Sequence, residues 1–562
     1  MPIREEVISN LTASGQFELT VDNALGYTLR VYKNAPASLR ELFETTAQFE
    51  DRIFTIYGDE ELTFKEFRAK VFSLAHFLQA QGVKKGDRVA IGMRNYPEWI
   101  ISFWACQAIG AIVVALNAWW ITHELEYALE DAQPKVLLLD GERWERVLPL
   151  LEKFRNVTAI VARRDSAPGG GIDFAEATAK PAAGLPDVDV GPLDIATILY
   201  TSGTTGRPKG AFANQRNHIT NIWNTLLAGQ VSRVMLGVAD DFVAPQGGTL
   251  QTFPFFHIGG LTGLYLGTIM GSKMALMYKW NPVEAVDLIE KYGLTSAGGV
   301  PIVVRQLLET ATAAGKSLST LVGLSSGGAP VPPDLIRRVE TQFEQKAAPA
   351  NGYGLTETTS AVITNGGADY FAHPNSIGRP VPTCEIRVVD DNGKDVPQGE
   401  IGEIWMRGPN IIPGYWGNPE ATEAAFGGGW FRSGDLGYLD TDGFYYVVDR
   451  KKDVIIRGGE NIYCAEVEAA LLEHPLVRDA TVIGLPNEEY GEIVAAVLQV
   501  DPENQGPELQ DEVVSSLSAK LAKFKIPTTF KITDQDLPRT ATGKVLKRDI
   551  RAQFFKTEMA GA

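Results

Sequence analysis

The sequence predicts an α/β protein built mainly on parallel sheets, and three observations lead to this prediction. Helical and strand-like patterns alternate along roughly the first two hundred residues, as they do in strand–helix–strand units. The 562 residues leave room for roughly three or four units of about 150 residues each. Apolar residues make up 44% of the chain and charged residues 22%, so the composition favours large packed cores and excludes general disorder.

The alternation begins with a helix. Thr63 and Glu66 have the spacing of a capping box, and apolar residues follow at helical intervals: Phe64, Phe67, Val71, Leu74 and Leu78. In chain order, the patterns then predict a strand over 88–93, a helix over 97–108, a strand over 111–116, a helix over 124–131 and a strand over 136–139. Ser102, Gln107 and Gly110 interrupt the apolar run 99–116. This run therefore predicts a buried helix followed by a buried strand rather than a membrane span.

A change of pattern after Gly378 predicts a more β-rich unit. Short apolar runs at 386–389, 401–407 and 444–448 lie between clusters of Gly, Pro, Asn and Asp, which is typical of antiparallel strands. After residue 452 the alternation returns, with a helix over 465–472, strands over 480–484 and 493–500, and a helix over 511–522. The segment 165–189 is expected to be an exposed loop or surface connection.

Five consecutive charged residues, 449–453, separate two patterned units and form the candidate domain boundary. A charge run of this kind is solvated and suits a linker. The predicted organisation is an N-terminal domain over 1–449, a hinge over 450–452 and a C-terminal domain over 453–562.

Charge and cysteine content exclude several classes of function. The chain has 52 basic and 69 acidic residues, a net charge of −17 and no basic stripe, which disfavours a nucleic-acid partner. Three widely separated cysteines, Cys106, Cys384 and Cys464, fit neither a disulfide framework nor a zinc site. The N-terminus is charged early and lacks the apolar core of a signal peptide. A cytoplasmic protein without a membrane span is therefore expected.

A loop rich in glycine and hydroxyl groups follows the strand-like run 196–200 and ends in a lysine. Its residues are Thr201, Ser202, Gly203, Thr204, Thr205, Gly206, Arg207, Pro208, Lys209 and Gly210. Glycines let the backbone approach a ligand, and the hydroxyls and lysine add donors, so the loop suits a polyphosphate. Pro208 breaks the Walker A spacing. A flexible linker is the alternative, although linkers rarely follow a buried strand directly.

Five segments in this order resemble the motifs of the adenylate-forming superfamily, which comprises acyl-CoA synthetases, peptide-synthetase adenylation domains and beetle luciferases. They are the 201–210 loop, FPFFH at 253–257, NGYGLTE at 351–357, WFRSGD at 430–435 and LPRTATGK at 537–544. The resemblance is to fatty-acid or aryl-acid CoA ligases in particular. It implies a large N-terminal domain of two sheet-and-helix lobes plus a β-rich subdomain. A small, mobile α+β C-terminal domain would follow and move between two catalytic poses.

The resemblance also implies a nucleotide site. Glu357 would hold magnesium against the ATP phosphates, with Thr356 and the Thr201 hydroxyl nearby, because magnesium prefers one or two protein oxygens plus phosphates. Asp435 would accept from ribose hydroxyls, and Arg450 would contact ribose or phosphate. The remaining implied cofactor-binding residues are Ser202, Gly203, Thr204, Thr205, Gly206 and Lys209 of the loop, Gly328 and Ala329 beside the adenine, and Asn351, Gly352 and Tyr353. Taken singly, such residues are usually parts of ordinary turns.

Three further residues are implied in the chemistry. His257 would lie beside the substrate carboxylate, although a lone histidine in an apolar run is more often a packed core residue. Lys544 would bridge the carboxylate and the α-phosphate with a permanent positive charge. Lys452 would be the hinge about which the C-terminal domain turns.

Gly458 and Gly459 resemble the loop that lines the pantetheine tunnel, where glycines would let the thiol arm pass. Two positions near them depart from the family pattern. Cys464 replaces a common proline and is interpreted as inert packing rather than a catalyst. Ile456 stands where aryl-activating relatives often have a basic residue, which weakens the CoA-contact assignments there.

The implied function is that of an ATP- and magnesium-dependent carboxylic acid–CoA ligase, with coenzyme A as co-substrate. Glycines after His257 favour a wide pocket, and hence a medium- or long-chain fatty acid, with a bulky aryl or cyclic acid as the alternative. An acyl-AMP ligase loading a carrier protein, an amide-forming synthetase and a luciferase-like oxygenase stay open, as does a homodimer. A non-catalytic adenylate-binding regulator would be expected to lack Lys544 or Glu357, and both are present.

Overall fold

The computed structural model describes residues 4–23, 26–164, 170–201, 207–235, 237, 246–328, 331, 333–342, 348–540 and 543–556. The first part of the chain alternates helices with short strands. Its elements are α1 (Arg4–Ala13), β1 (Leu19–Asp22), β2 (Leu29–Tyr32), α2 (Leu39–Glu44), β3 (Ile53–Tyr57), β4 (Glu60–Thr63), α3 (Phe64–Ala80), β5 (Arg88–Gly92), α4 (Pro97–Ala108), β6 (Ile112–Ala115), α5 (Thr122–Ala132), β7 (Val136–Asp140), α6 (Gly141–Val147), β8 (Thr158–Ala162), β9 (Ile172–Asp173) and α7 (Phe174–Ala177).

The middle of the chain continues the alternation with longer helices. Its elements are β10 (Ile195–Thr201), β11 (Lys209–Asn214), α8 (Gln215–Met235), β12 (Gly248–Gln251), α9 (Ile258–Ile269), β13 (Lys273–Leu276), α10 (Pro282–Tyr292), β14 (Ser296–Gly299), α11 (Pro301–Ala313), β15 (Gly323–Gly327), α12 (Pro333–Gln342), β16 (Ala348–Leu355), β17 (Ser360–Gly366) and α13 (Gly367–Ala372).

The remaining chain is first mostly β and then mixed. The β-rich part contains β18 (Arg379–Pro380), β19 (Glu385–Val389), β20 (Gly402–Arg407), β21 (Gly414–Tyr415), α14 (Pro419–Ala425), β22 (Phe426–Gly427), β23 (Trp430–Leu439) and β24 (Tyr445–Arg450). The last part contains β25 (Ile455–Arg457), β26 (Glu460–Ile462), α15 (Cys464–Leu472), β27 (Asp479–Asn487), β28 (Gly491–Gln499), α16 (Leu509–Ser518), β29 (Thr529–Thr533) and α17 (Lys547–Phe554).

Two large, mainly parallel sheets carry the first two thirds of the chain, as predicted. Among the described residues, the first sheet has the strand order β21-β11-β10-β6-β5-β7-β8-β9, and the second has the order β18-β17-β16-β15-β14-β12-β13-β3-β4. Two smaller sheets follow. One joins β19, β20, β23, β22 and β24 in antiparallel pairs, and the other joins β25 to β29. The predicted α/β class, with a β-rich unit and a smaller C-terminal unit, is confirmed.

Local sequence signals account for much of this architecture. Thr63 and Glu66 form the predicted capping box at the start of α3. Helix α4 has the predicted bounds and is buried on all sides, including Ser102 and Gln107. The Gln107 side chain donates to the carbonyl of Ala196 and accepts from Gln215, so its burial leaves no cost of unpaired polar atoms. None of the helices in the described part of the chain is long and apolar enough to cross a membrane.

Two sequence predictions are wrong in detail. The segment 165–189 is more ordered than expected, because Ile172–Asp173 pairs with β8 and Asp173 caps the short helix α7, which buries Phe174 and Ala177. Residues 165–169 lie outside the described residues. Helix α16 ends at Ser518 rather than 522, since Leu517 is its last buried apolar residue and the chain then turns through hydrogen bonds to the Leu517 carbonyl.

Candidate active site

The glycine-rich loop joins two paired strands. β10 and β11 are antiparallel, and Thr201 lies opposite Lys209, so the loop connects the two strands of a hairpin in the first sheet. The Thr201 hydroxyl is within 3.5 Å of the Lys209 carbonyl. The Pro208 carbonyl accepts a hydrogen bond of 2.9 Å from Tyr127, which ties the end of the loop to α5. Ser202, Gly203, Thr204, Thr205 and Gly206 lie outside the described residues.

Glu357 lies next to the end of this loop, although 148 residues separate it from Lys209 in the chain. The ammonium of Lys209 lies 5.1 Å from the ring centroid of Tyr415, a cation–π distance. The Tyr415 phenol in turn donates to Glu357 Oε1 at 2.7 Å. The pairing of β21 with β11 places Tyr415 beside Glu357. The Ile412 amide also donates a hydrogen bond of 2.9 Å to the Glu357 carbonyl. The result is a glutamate that is only 9% exposed and is linked through Tyr415 to the Lys209 ammonium.

The backbone after Glu357 is strained. Thr359 and Ser360 are consecutive non-glycine residues with φ of 48° and 85°, a conformation that β-branched residues rarely adopt. Gly354 accommodates this turn, because a Cβ there would lie 1.9 Å from the Ser360 carbonyl oxygen. Strain of this kind clusters at functional sites, where the surrounding structure holds it in place.

Asp435 forms a second polar cluster with Tyr353 and Arg450. Its carboxylate accepts from the Tyr353 phenol at 2.6 Å and pairs with the Arg450 guanidinium at 2.6 Å. The strands β23 and β24 place Asp435 directly opposite Arg450, and Asp435 is only 3% exposed. Burial, followed by the charge of Asp435, raises the pKa of Tyr353, so the phenol stays a donor. A carboxylate has further acceptor positions that ribose hydroxyls could use.

Lys544 joins this cluster from the far end of the chain. Burial of its ammonium, together with the positive charge of Arg450 and partly opposed by Asp435, lowers the pKa of Lys544 to about 8. The permanent charge expected from the sequence is therefore corrected to a charge that titrates near pH 8. Gly543 has a φ of +82° and packs so closely that a Cβ there would lie 2.8 Å from Val300. This contact seats the Lys544 loop on the N-terminal part of the protein.

His257 caps helix α9 and lies within the electrostatic reach of Lys544. Its Nδ1 accepts from the Gly259 amide at 3.1 Å, which leaves Nε2 as the protonated nitrogen. Burial and the charge of Lys544 lower the pKa of His257 to about 4, so the ring is neutral at physiological pH. Phe253 stacks on the ring at a centroid distance of 6.1 Å. The geometry supplies one neutral N–H donor at the start of a helix.

Val300 is the point where these segments meet. Besides Gly543, it lies 3.6 Å from where a Cβ of Gly328 would be, and Phe253 lies 3.9 Å from the same point. Gly328 has a φ of +78°, as a glycine turn requires. On the neighbouring strand, Gly352 pairs with Gly327 and Asn351 with Ser326. The predicted adenine segment therefore lies beside the His257 motif, whereas Ala329 lies outside the described residues.

The middle strands of the second sheet carry small residues beside this meeting point. Helix α8 contacts β17, and α9 contacts β12, β13 and β17, so the two helices lie over strands that flank β14, β15 and β16. The faces of these three strands carry small residues, among them Gly298, Ser325 and Gly352. Ser325 is exposed although its strand is central in the sheet. Gly298, Ser325 and Gly352 therefore place no large side chain on this part of the sheet.

Of the predicted hinge and tunnel residues, Lys452 lies within electrostatic reach of Lys544, whereas Gly458 and Gly459 lie apart from the polar cluster. Lys452 is exposed in a turn that the Asp453 amide closes onto the Arg450 carbonyl at 2.8 Å. Gly458 and Gly459 have φ of 59° and 89° and form the two-residue turn between β25 and β26. A two-residue hairpin turn of this kind requires positive φ at both positions, which is a structural reason for glycine at 458 and 459. No contact between these glycines and Lys544, Asp435 or His257 occurs among the described residues.

Sequence reasoning missed Tyr415 and Val300. Tyr415 stands in an uncharged Gly-Tyr-Trp-Gly run, and only the pairing of β21 with β11 brings it to Glu357. Val300 is one of many buried valines, and its role depends on its approach to Gly328 and Gly543 in two separate segments. Cys464 is buried, and its thiol donates to the Asp453 carbonyl at 3.0 Å. Burial raises its pKa to about 12, which fits the packing role predicted for it.

The donor set fits a magnesium ion held mainly by phosphates. Within the described ranges there is no group of three or more His, Cys, Asp or Glu side chains placed to bind a metal. Magnesium bound to nucleotide needs only one or two protein oxygens. The buried Glu357 carboxylate uses Oε1 for Tyr415, and its Oε2 accepts no hydrogen bond from any residue that the structure describes. Thr201, at the mouth of the loop, could add a hydroxyl oxygen.

Comparison with known proteins gives matches over almost the whole chain. A family described as AMP-binding enzyme matches residues 42–416, and its C-terminal domain family matches 466–544. A feruloyl-CoA synthase from an Amycolatopsis species is 37% identical over 89% of this chain and 95% of its own. A long-chain-fatty-acid–CoA ligase from Bacillus subtilis is 32% identical over 90% of this chain and 92% of its own.

Solved structures of the o-succinylbenzoate CoA synthetase from Bacillus subtilis are also similar. The complex with its acyl-adenylate has a TM-score of 0.76 at 32% identity and covers 91% of this chain and 97% of that one. The complex with ATP and a magnesium ion has a TM-score of 0.75 at 32% identity and covers 91% and 99%.

Proposed function

Because the chain belongs to the AMP-binding enzyme family, we propose that it is an ATP-dependent carboxylic acid–CoA ligase. In the first step, a carboxylate oxygen attacks the α-phosphorus of ATP, pyrophosphate leaves, and an acyl-adenylate forms. In the second step, the thiol of coenzyme A attacks the acyl carbonyl, loses its proton, and expels AMP. The single observation that carries the proposal is the approach of Lys544 to Asp435 and Arg450, with His257 within reach of its charge.

Lys544 would serve the first step. Negative charge accumulates between the carboxylate and the α-phosphate as the new bond forms, and a cation placed there in advance stabilises it. With a pKa of about 8, Lys544 is mostly protonated at neutral pH. Low solvation, which lowers this pKa, also strengthens the attraction of the ammonium for a transition state richer in charge.

His257 would orient the carboxylate without exchanging a proton. Its Nδ1 is engaged by the Gly259 amide, so its Nε2–H can donate to one carboxylate oxygen. The neutral ring adds direction but no charge. Lys544 would therefore stabilise the negative charge of the transition state, and His257 would orient the attacking carboxylate oxygen.

Glu357 and Thr201 would hold a magnesium ion, whose charge neutralises phosphate oxygens during transfer. The chain's own contribution is to keep the Glu357 carboxylate aimed at the loop through Tyr415. Lys209 and the loop residues Ser202, Gly203, Thr204, Thr205 and Gly206 would cradle the phosphates. Asn351, Gly352, Tyr353, Thr356, Gly328, Ala329, Asp435 and Arg450 would complete the nucleotide site.

For the second step, we propose that residues 450–452 are the hinge between an N-terminal domain, 1–449, and a C-terminal domain, 453–562. Lys452 is in an exposed turn, where a change of φ and ψ meets little resistance. Rotation about it would withdraw Lys544 and bring Gly458 and Gly459 towards the acyl-adenylate. Among the described residues, no other atom lies within 4 Å of where a Cβ at Gly459 would be, whereas a Cβ at Gly458 would lie 3.6 Å from Tyr490.

The acid is proposed to be a medium- or long-chain fatty acid or a bulky aryl or cyclic acid. The small residues along β14–β16 favour a long or wide substrate, and the similar proteins named above include ligases of both kinds. An acyl-AMP ligase that loads a carrier protein and an amide-forming synthetase are the alternatives for the second step. We further propose a cytoplasmic location and a homodimer, which cell fractionation and light scattering would test.

A panel of acids tests the proposed function. Pyrophosphate release is measured with saturated fatty acids, aryl acids and cyclic acids, each with and without coenzyme A. We expect release with at least one acid, and formation of its thioester only when coenzyme A is present. An acid that is adenylated but never transferred to coenzyme A would favour the carrier-protein or amine alternative.

A further inference from the structure

A buried side chain joins the carboxyl ends of the two large sheets. Asn95 follows β5 of the first sheet and is only 8% exposed. Its Nδ2 donates to the Phe253 carbonyl at 3.0 Å, and its Oδ1 accepts from the Phe255 amide at 3.0 Å. Both partners belong to the turn that follows β12 of the second sheet. Asn95 thus uses both ends of its carboxamide on one short backbone segment.

The segment that Asn95 holds leads directly into His257. The His257 amide donates to the Pro254 carbonyl at 3.1 Å, and Pro254 stands between the two residues that Asn95 binds. The Phe253 ring also stacks on the His257 ring, at a centroid distance of 6.1 Å. A displacement of residues 253–255 would therefore move the imidazole with it.

Asn95 is itself held by the first sheet. The amide of the preceding residue, Arg94, donates to Asp140 Oδ2 at 3.0 Å, and Asp140 ends β7, the parallel neighbour of β5. Four residues after Asn95, Trp99 of α4 stacks on Phe255 at a centroid distance of 5.0 Å. Because strands and a helix hold both flanks, the carboxamide has a fixed direction before any ligand arrives.

We propose that Asn95 is a positioning residue for the first half-reaction, and that it sets the place of His257 from the opposite sheet. The inference rests on the proposed function, in which the Nε2–H of His257 donates to the substrate carboxylate. A donor in this role must lie where the attacking oxygen needs it, because a misplacement of about 1 Å can cost on the order of a hundredfold in rate. Asn95 acts on the acid only through the turn, since the two hydrogen bonds of its carboxamide end on backbone atoms there.

A double-mutant cycle with His257 tests this dependence. Pyrophosphate exchange is measured for wild type, Asn95→Leu, His257→Ala and the double variant, with an acid that the wild type adenylates. Asn95→Leu keeps a similar side-chain volume and removes both hydrogen bonds. It should slow adenylation about tenfold in the wild-type background and less than about twofold in the His257→Ala background, because no imidazole is left to misplace.

Gln107→Met is the matched control for the loss of a buried carboxamide. Gln107 is also bonded at both ends, donating to the Ala196 carbonyl and accepting from Gln215, and it is fully buried. The melting temperature should fall in this variant as it does in Asn95→Leu. Any change in its adenylation rate should be the same with and without His257, because Gln107 does not bind the turn.

Asn95→Asp serves where Asn95→Leu fails to fold. The substitution keeps the shape of the side chain and the acceptor for the Phe255 amide, and it replaces the donor to the Phe253 carbonyl by a second acceptor. Gln251 still donates to that carbonyl at 2.7 Å, so the turn is only partly released. A smaller loss of about threefold should again disappear in the His257→Ala background.

The cycle separates the inference from the proposed function. An equal loss with and without His257 overturns the inference, because Asn95 would then act on general stability or through another group. Rates within about twofold of wild type for the Asn95 variants also overturn it, as does a His257→Ala rate equal to wild type, which would leave Asn95 nothing to position. These results leave the ligase function standing. A wild-type protein that adenylates none of the panel of acids refutes the proposed function itself.

Discussion

The Tyr415 phenol donates to the Glu357 carboxylate at 2.7 Å, across 58 residues of chain. This bond joins the β-rich part of the protein to the turn that follows β16. It also connects Glu357 to Lys209, because the Lys209 ammonium lies 5.1 Å from the centre of the same tyrosine ring. One aromatic side chain thus sets the distance between a phosphate-binding loop and the carboxylate proposed to hold its metal ion.

Replacing Glu357 by Gln should slow adenylation about 100-fold, because a charged metal ligand is lost where phosphate charge must be neutralised. Pyrophosphate exchange at saturating magnesium measures the effect. Tyr415→Phe is the matched control, since it removes the phenol but keeps the carboxylate, and we expect a loss of less than tenfold. A Glu357→Gln rate within threefold of wild type would show that Glu357 does not hold the metal.

Adenylation should fall as the pH rises above about 8. The pKa of Lys544 is lowered to about 8, so the lysine is charged below that pH and loses its proton above it. The rate should then drop about tenfold for each further pH unit. Lys544→Arg offers the control, because an arginine stays charged and any remaining activity should not decline in this range. A wild-type rate that is constant from pH 7 to 10 would contradict the assignment.

Local elements were predictable from the sequence because their causes are local. The Thr63–Glu66 capping box and the Pro97 start of α4 are short-range signals, and both helices begin where those signals stand. The sheet orders are not local. β3 and β4 join the second sheet beside β13, more than 200 residues later, and no pattern in 53–63 indicates that partner.

The same distinction between local and long-range causes applies to the residues of the candidate site. Its charged and glycine-rich residues could be found because they stand in recognisable segments, as Asp435 and Lys544 do. Tyr415 and Val300 could not, since their chemistry is ordinary and only long-range pairing gives them a role. The lowered pKa of Lys544 could not be predicted from the sequence either, because it depends on burial of the ammonium and on the charge of Arg450.

Gly543→Ala should impair adenylation about tenfold or more. The added Cβ would lie 2.8 Å from Val300 Cγ2, and a φ of +82° disfavours alanine, so the Lys544 loop could not seat fully. Adding Val300→Ala removes the clash but not the backbone strain, and should restore part of the rate. Pyrophosphate exchange of both single variants and the double variant measures the coupling. Strictly additive losses would show that the two residues do not meet during adenylation.

Gly459→Leu should block thioester formation and spare adenylation, because a side chain there would occupy the proposed path of the thiol arm. Gly399→Leu is the matched control: Gly399 has a φ of +88° against +89° for Gly459, and neither has an atom within 4 Å of its would-be Cβ. Both variants carry the same backbone strain, so their melting temperatures should fall alike. Equal thioester rates in the two variants would refute the tunnel assignment.

Lys452 and Lys544 should separate the two half-reactions. A hinge residue must absorb a large change of φ and ψ, which proline cannot do because its φ is fixed near −65°. Lys452→Pro should therefore form acyl-adenylate and fail to pass it to coenzyme A. Lys544→Ala should show the opposite defect, with adenylation slowed by about 30-fold or more, equivalent to roughly 2 kcal/mol.

Synthetic acyl-adenylate distinguishes the two lysines, since it enters after the step that Lys544 serves. Supplied with this intermediate and coenzyme A, Lys544→Ala should make thioester at close to the wild-type rate, while Lys452→Pro should remain slow. Lys452→Ala is the control for the loss of charge, and because alanine keeps a free φ it should turn over normally. If Lys544→Ala is as slow on the intermediate as on the free acid, Lys544 acts in both steps, and the two poses do not divide the chemistry between them.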